Sequence, residues 1–110
     1  MKSIKNKIFI SAPYSNGDVE QNVKNAMDIS SILMEKGYAP YCPHLGYYLN
    51  NNKSQPYEKW LELHCTYLKV CDAVLRLSGE SNGADKEVTL AIEMGIPVFS
   101  SIDELDVFYY

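Results

Sequence analysis

The stretch DAVLRLSGESNGADKEVTLAIEMGIPVFS, Asp72–Ser100, decides the fold. Its opening, Asp72–Leu77, is a short and mainly apolar run of strand length. Ser78–Gly83 follows as a Gly/Ser-rich turn. Val88, Ala91, Ile92 and Met94 then recur at helical spacing, with Gly95 where a helix C-cap belongs, so these four side chains are expected to face inward. Ile96–Ser100 (IPVFS) closes the unit as another strand. Strand, turn, helix and strand in this order form a βαβ unit, in which the strands run parallel and the crossover is right-handed.

The same grammar extends toward the N-terminus. Lys7–Ser11 (KIFIS) reads as a buried strand that ends at Ala12-Pro13. Asp18-Val19-Glu20-Gln21 has the pattern of a capping box. Val23, Ala26, Met27, Ser30, Leu33 and Met34 follow on one helical face, and Gly37 is placed to end that helix. Tyr38–Cys42 is a second short strand, stopped by Pro43. Pro43–Gln55, with Gly46 and Asn50–Asn52, is loop-like. Pro56 suits the first turn of a helix whose apolar face comprises Trp60, Leu61, Leu63, His64, Tyr67, Leu68 and Cys71. Ile102–Tyr110 is a short helix or tail. The order βαβαβαβ(α) predicts an α/β three-layer sandwich around a parallel sheet of four to five strands. Ligands in such folds sit beyond the carboxyl ends of the strands, where the strand order reverses. Three loops meet there: Ala12–Gly17, Pro43–Gln55 and Ser78–Ala84.

Composition narrows the possible partners. At 110 residues, 46% of them hydrophobic, the chain makes one domain with a real core. A net charge of −4, with Arg76 as the single arginine, excludes the concentrated basic face needed to grip a nucleic-acid polymer. No apolar run is long enough for a membrane span, and Met1–Lys7 lacks a signal peptide's apolar core, so a cytoplasmic protein is expected. Cys42, Cys65 and Cys71 are odd in number without a CxxC, which predicts neither a disulfide framework nor a zinc site; no cofactor is implied. Nine tyrosines are the compositional oddity.

The third loop carries the most chemistry. Ser81, Asn82 and Gly83 place a hydroxyl and free backbone N–H groups at a helix N-terminus, a natural anion site. Glu87, one turn inside that helix, can point back into the cleft as a nucleophile or stabilise positive charge on a sugar. Spacing alone favours a plainer role for Asp85 and Glu87, complementing the helix dipole. The loop lacks the lysine of a P-loop and a GxGxxG, which excludes neither binding nor catalysis but argues against a nucleoside triphosphatase or a dinucleotide enzyme. In the first loop, Pro13-Tyr14-Ser15 offers a stacking ring and a hydroxyl, or simply a strand-to-helix turn. His44 ends a strand and is either a proton donor or base contact, or a locally satisfied imidazole. His64 and Cys65 lie on a helix where a structural role is the default, and Asp72 reads as a strand cap at least as well as a catalytic group.

Four pieces in order, KIFISAPYS (Lys7–Ser15), EQNVKNA (Glu20–Ala26), YCPHL (Tyr41–Leu45) and Cys71–Phe99, resemble the nucleoside 2-deoxyribosyltransferase-like superfamily, notably its small bacterial and phage branch. The resemblance covers nearly the whole chain and implies one such domain over residues 1–110 with a flavodoxin-like, Rossmann-like sheet. It implies an N-glycosidic-bond hydrolase or 2-deoxyribosyltransferase acting on a nucleoside or nucleoside 5′-monophosphate. Carried over, Glu87 is the nucleophile, and Ser81 helps hold a 5′-phosphate. Where many members carry a base-contacting aspartate this chain has His64, and where nucleotide hydrolases often carry a phosphate-binding arginine it has Pro13-Tyr14-Ser15. His64, His44 and Tyr14 are then the available proton donors, and Ser15, Ser81, Asn82, Gly83 and Pro13 the remaining contacts. A non-catalytic nucleotide-binding module on the same fold is the alternative. A homodimer or larger homo-oligomer is expected, since superfamily members commonly cover the site with a neighbour. The tail, with Tyr109 and Tyr110, either closes a site or packs on the domain's own sheet edge.

Overall fold

Four short strands, β1 (Lys7–Ser11), β2 (Ala39–Tyr41), β3 (Ala73–Arg76) and β4 (Val98–Phe99), pair in parallel in a computed structural model that describes residues 6–110. Residues 1–5, which belong to the Met1–Lys7 reading, lie outside the described residues. The helices are α1 (Val19–Glu35), α2 (Gly46–Asn52), α3 (Tyr57–Leu68), α4 (Asn82–Glu93) and α5 (Ile102–Tyr109), with a 3-10 turn at Pro43–Leu45. The architecture is the expected α/β three-layer sandwich, and its sheet has four strands in the order β2-β1-β3-β4.

Side chains alternate across the sheet because the strand period is two. Ile8, Ile10, Ala73 and Leu75 pack with Ala26 and Leu33 of α1 and Leu105 of α5. Phe9 and Val74 face the other way, onto Leu68 of α3, Cys71 and Ala91 of α4. Both faces are covered, so β1 reads as continuous apolar sequence rather than as an alternation. Each large side chain in this core contributes about 1.5–3 kcal/mol of burial free energy. Register places Ser11 opposite Arg76 at the carboxyl ends of β1 and β3. The chain leaves β1 for β2 on one side and returns to β3 on the other. The strand order therefore reverses between β1 and β3, which is where a cleft opens in such folds.

The end of α1 follows the sequence closely, while its start forms half of the expected cap. Asp18 Oδ1 accepts from the Gln21 backbone N–H at 3.2 Å, but the Gln21 amide donates to Asn25 instead of reaching back. Gly37, at φ +95°, takes the left-handed conformation that ends the helix.

Three expectations need correction. Pro43–Gln55 is mostly helical rather than loop-like. Asn50 sustains α2 from its side chain: its Oδ1 accepts from Trp60 Nε1 and from the Gln55 backbone N–H, both at 2.9 Å. The inward faces are also narrower than helical spacing implied. Met27 and Met34 of α1, Leu61, Leu63 and Tyr67 of α3 and Ile92 of α4 are exposed, because each helix meets the sheet along a stripe held by a few small or branched residues. Pro56 immediately precedes α3 rather than occupying its first turn.

Candidate functional site

A cleft of about 850 Å³ lies at the strand-order reversal, between the loop after β1, the 43–52 segment, α3 and the start of α4. Glu87 stands at its floor. Its Oε1 accepts a hydrogen bond from Ser11 Oγ at 2.8 Å, so the carboxylate leans over the sheet edge instead of running along the helix surface. Burial pushes its pKa up to about 7, against the downward pulls of the Ser11 hydrogen bond and the Arg76 charge. Asp85 behaves differently: it is exposed, in the first turn of α4, and 3.2 Å from Arg76 Nη2. The two acids near the start of this helix therefore differ in role, Asp85 pairing with the arginine in the first turn and Glu87 leaning onto Ser11.

The loops after β1 and β3 are locked to one another. Gly79 has φ +117°, and a Cβ there would sit 2.7 Å from Pro13 Cγ, so only glycine permits this approach. Asn16 Nδ2 donates to the Glu80 carbonyl at 2.9 Å. From α1, Asn22 Nδ2 donates to the carbonyls of Tyr14 and Asn16 at 2.8 and 2.9 Å. Ser81 is the N-cap of α4, its Oγ accepting from Ala84 N–H at 3.1 Å, which leaves its hydroxyl proton available to a ligand. Arg76 turns to the carbonyls of Leu77 and Gly79 and to Asp85. Lys86 is thus the cation among the residues lining the cleft.

Aromatic residues form the opposite wall. Trp60 and His64 stack with ring centroids 5.9 Å apart, and His64 Nδ1 is 3.2 Å from the Tyr41 hydroxyl. Burial lowers the His64 pKa and pushes Tyr41 up to about 12, so the imidazole is neutral and the phenol protonated near neutral pH. His44 is buried, and its Nε2 donates to the Pro13 carbonyl at 2.8 Å; burial lowers its pKa as well. That bond fixes the tautomer and leaves Nδ1 without a hydrogen-bond partner among the described residues. Tyr14 meets His44 and Tyr47 edge-on, at 5.7 and 6.5 Å, and its own pKa is raised mainly by burial.

Eight of the nine residues expected at the site, Tyr14, Ser15, His44, His64, Ser81, Asn82, Gly83 and Glu87, line this one cleft. Pro13 is the correction: it stays out of the lining, where its ring meets Gly79 and its carbonyl holds His44. Sequence reasoning passed over Ser11, Asn22 and Tyr41, and read Trp60 as core. Of these, only the place of Ser11 was readable from the sequence, as the last residue of the first strand, and its partner Glu87 was not.

Against known proteins, the family model described as a domain of unknown function, DUF7768, matches residues 6–101. A search of curated proteins gives no match. Among solved structures, a 2-deoxyribosyltransferase from the psychrotolerant bacterium Bacillus psychrosaccharolyticus matches at a TM-score of 0.63 and 17% identity. That match covers 84% of this chain and 69% of the other. Such a likeness shows a shared fold, in keeping with the sheet order and the position of the cleft. The chain belongs to the DUF7768 family, with the α/β fold of a 2-deoxyribosyltransferase.

Proposed function

We propose that the cleft takes a nucleoside or nucleoside 5′-monophosphate and that Glu87 displaces the base at C1′. One observation carries this reading: a carboxylate held inside the cleft, on Ser11, at the strand-order reversal. The Glu87 oxygen forms a bond to C1′ as the C1′–N bond breaks, and the electron pair leaves with the base. A proton reaches the base from a neighbouring donor, for which His64 and Tyr14 are positioned on the cleft wall. Water then attacks C1′ and returns a proton to that donor, or a second base attacks instead, and the C1′–O bond breaks to free the Glu87 carboxylate. Ser15, the Ser81 hydroxyl, the N–H groups of Asn82 and Gly83, and Lys86 are available to a 5′-phosphate. Likeness of fold to a deoxyribosyltransferase supports the nucleoside class. In this reading residues 1–110 are one domain working in the cytoplasm as a homodimer or larger homo-oligomer.

A second reading, a module that holds a nucleotide without cleaving it, is favoured by Arg76. Its guanidinium is turned onto Gly79 and Asp85, which leaves the cleft thinly supplied with positive charge for a transition state or a dianion. Incubating the protein with a panel of nucleosides and nucleoside monophosphates separates the two. Free base on chromatography, lost in Glu87→Gln, supports the enzyme. A ligand recovered intact that raises the melting temperature supports the module. Base release by Glu87→Gln at the wild-type rate would overturn the proposed mechanism. For the enzyme, kcat/KM should rise with pH through about 7, as the raised pKa of Glu87 demands that the nucleophile lose its proton first.

A further inference from the structure

Ser11 is fully buried, and its side chain has one proton to donate but two acceptors within reach. Glu87 Oε1 is at 2.8 Å and the carbonyl of Ala84, in the first turn of α4, at 3.2 Å. We infer that Ser11 is a positioning residue for Glu87, whose hydroxyl proton moves between the carboxylate and the Ala84 carbonyl as the charge on Glu87 changes. When Glu87 is ionised, the hydroxyl donates to Oε1, a charge-assisted bond and the stronger of the two. When Glu87 is protonated, the carboxyl O–H donates to Ser11 Oγ, and the serine turns its own proton to Ala84. No heavy atom has to move, because a hydroxyl rotates about its Cβ–Oγ bond and serves as donor and acceptor at once.

The arrangement suits a carboxylate that must be anionic to attack C1′ and neutral once esterified, and in that respect it rests on the proposed function. In the glycosyl ester, Oε1 is a weaker acceptor, and the Ala84 carbonyl keeps the buried serine hydroxyl proton paired. The other groups facing Glu87 do not duplicate this. Arg76 acts on Glu87 from β3 through charge, while its Nη1 donates to Leu77 and its Nη2 to Gly79 and Asp85. Tyr41, from β2, is coupled to Glu87 through charge and has its hydroxyl beside His64. His44 and His64 are neutral near pH 7, Tyr14 keeps its proton, and Lys86 and Asp85 flank Glu87 on its own helix.

The test is a carbon-13 NMR titration of the Glu87 carboxyl in wild type, Ser11→Ala, Ser11→Cys and Ser11→Thr, without any nucleoside. Losing the hydroxyl should move the Glu87 midpoint up by about one pH unit, a tenfold weaker acid, in the alanine and cysteine variants. Threonine, which keeps the hydroxyl, should return it to the wild-type position. Cysteine retains the bulk and keeps the comparison open should alanine fail to fold. An unchanged midpoint in a folded alanine or cysteine variant overturns the inference, as does a threonine midpoint equal to that of the variant lacking the hydroxyl. The acid limb of kcat/KM must shift with the midpoint; if it stays in place, Ser11 has no positioning role in the reaction. Base release that survives Glu87→Gln is a separate result, overturning the nucleophile rather than the hydroxyl contact.

Discussion

At the scale of single residues, Glu87 puts the clearest strain on the fold. Its pKa is about 7 when folded against an ordinary value of 4.5, so the folded state binds the proton more tightly than the unfolded chain. A raised acid contributes its stability below the unfolded value and loses it as pH climbs through the folded one. That rise corresponds to a difference of about 3 kcal/mol between the protonated and ionised forms. Glu87→Gln mimics the protonated form at every pH. The variant should match wild type in stability only below about pH 4, exceed it by under about 1 kcal/mol at pH 5, and by about 3 kcal/mol at pH 8. Urea unfolding of both proteins at the two pH values measures this. An equal difference at pH 5 and pH 8 would show that the glutamine acts through packing and not through charge.

At the scale of elements, the loops after β1 and β3 behave as one unit, and glycine makes that possible. Gly79→Ala adds a methyl to a backbone at φ +117° and drives it into Pro13, a rigid ring that cannot turn aside. The expected cost is about 2–3 kcal/mol. Gly83→Ala is the contrast, since its Cβ would find its nearest neighbour at 3.9 Å, inside the first turn of α4. There alanine should leave stability unchanged or raise it by up to about 1 kcal/mol. Thermal melts of the two variants decide the point, and equal losses would refute the loop lock. Much of this region was legible in the sequence, because strand alternation, caps and Gly-rich turns are local signals. The Gly/Ser-rich turn and α4 follow from spacing, whereas spacing favours a dipole role for Glu87 and the fold turns it into the cleft instead. What spacing did not disclose depends on distant partners. Ser11 looks like an ordinary strand end until the helix carrying Glu87 folds over it, 76 residues later in the chain. The asparagine run at Asn50–Asn52 is a poor helix former, and α2 stands because Trp60 donates to Asn50 and packs its ring against Gly46.

At the scale of the whole molecule, six of the nine tyrosines gather in two groups at the ends of the sheet. Tyr14, Tyr41 and Tyr47 belong to the cleft end, through their contacts with His44, His64 and one another. Tyr38, Tyr109 and Tyr110 meet at the amino ends of the strands, where α5 has run back antiparallel to β4. Tyr38 touches both tail rings edge-on, at 6.2 and 5.8 Å, and donates to Asp106 at 2.8 Å. Lys36 pairs with the same Asp106 at 2.7 Å, and the Tyr110 hydroxyl donates to the Lys36 carbonyl. The tail therefore packs on its own domain, as one of the two sequence readings held, and at the end away from Glu87. Tyr109 is its half-buried centre, touching Tyr38, Phe99 and Phe108. Tyr109→Ala should cost about 2–3 kcal/mol in lost burial and ring contacts, a fall of roughly 10 °C in melting temperature for a domain of this size. The Glu87 titration midpoint should not move, since no contact of Tyr109 reaches the cleft. Calorimetry together with the carboxyl titration checks both halves. A shifted midpoint with an unchanged melting temperature would mean that the tail reaches the site after all.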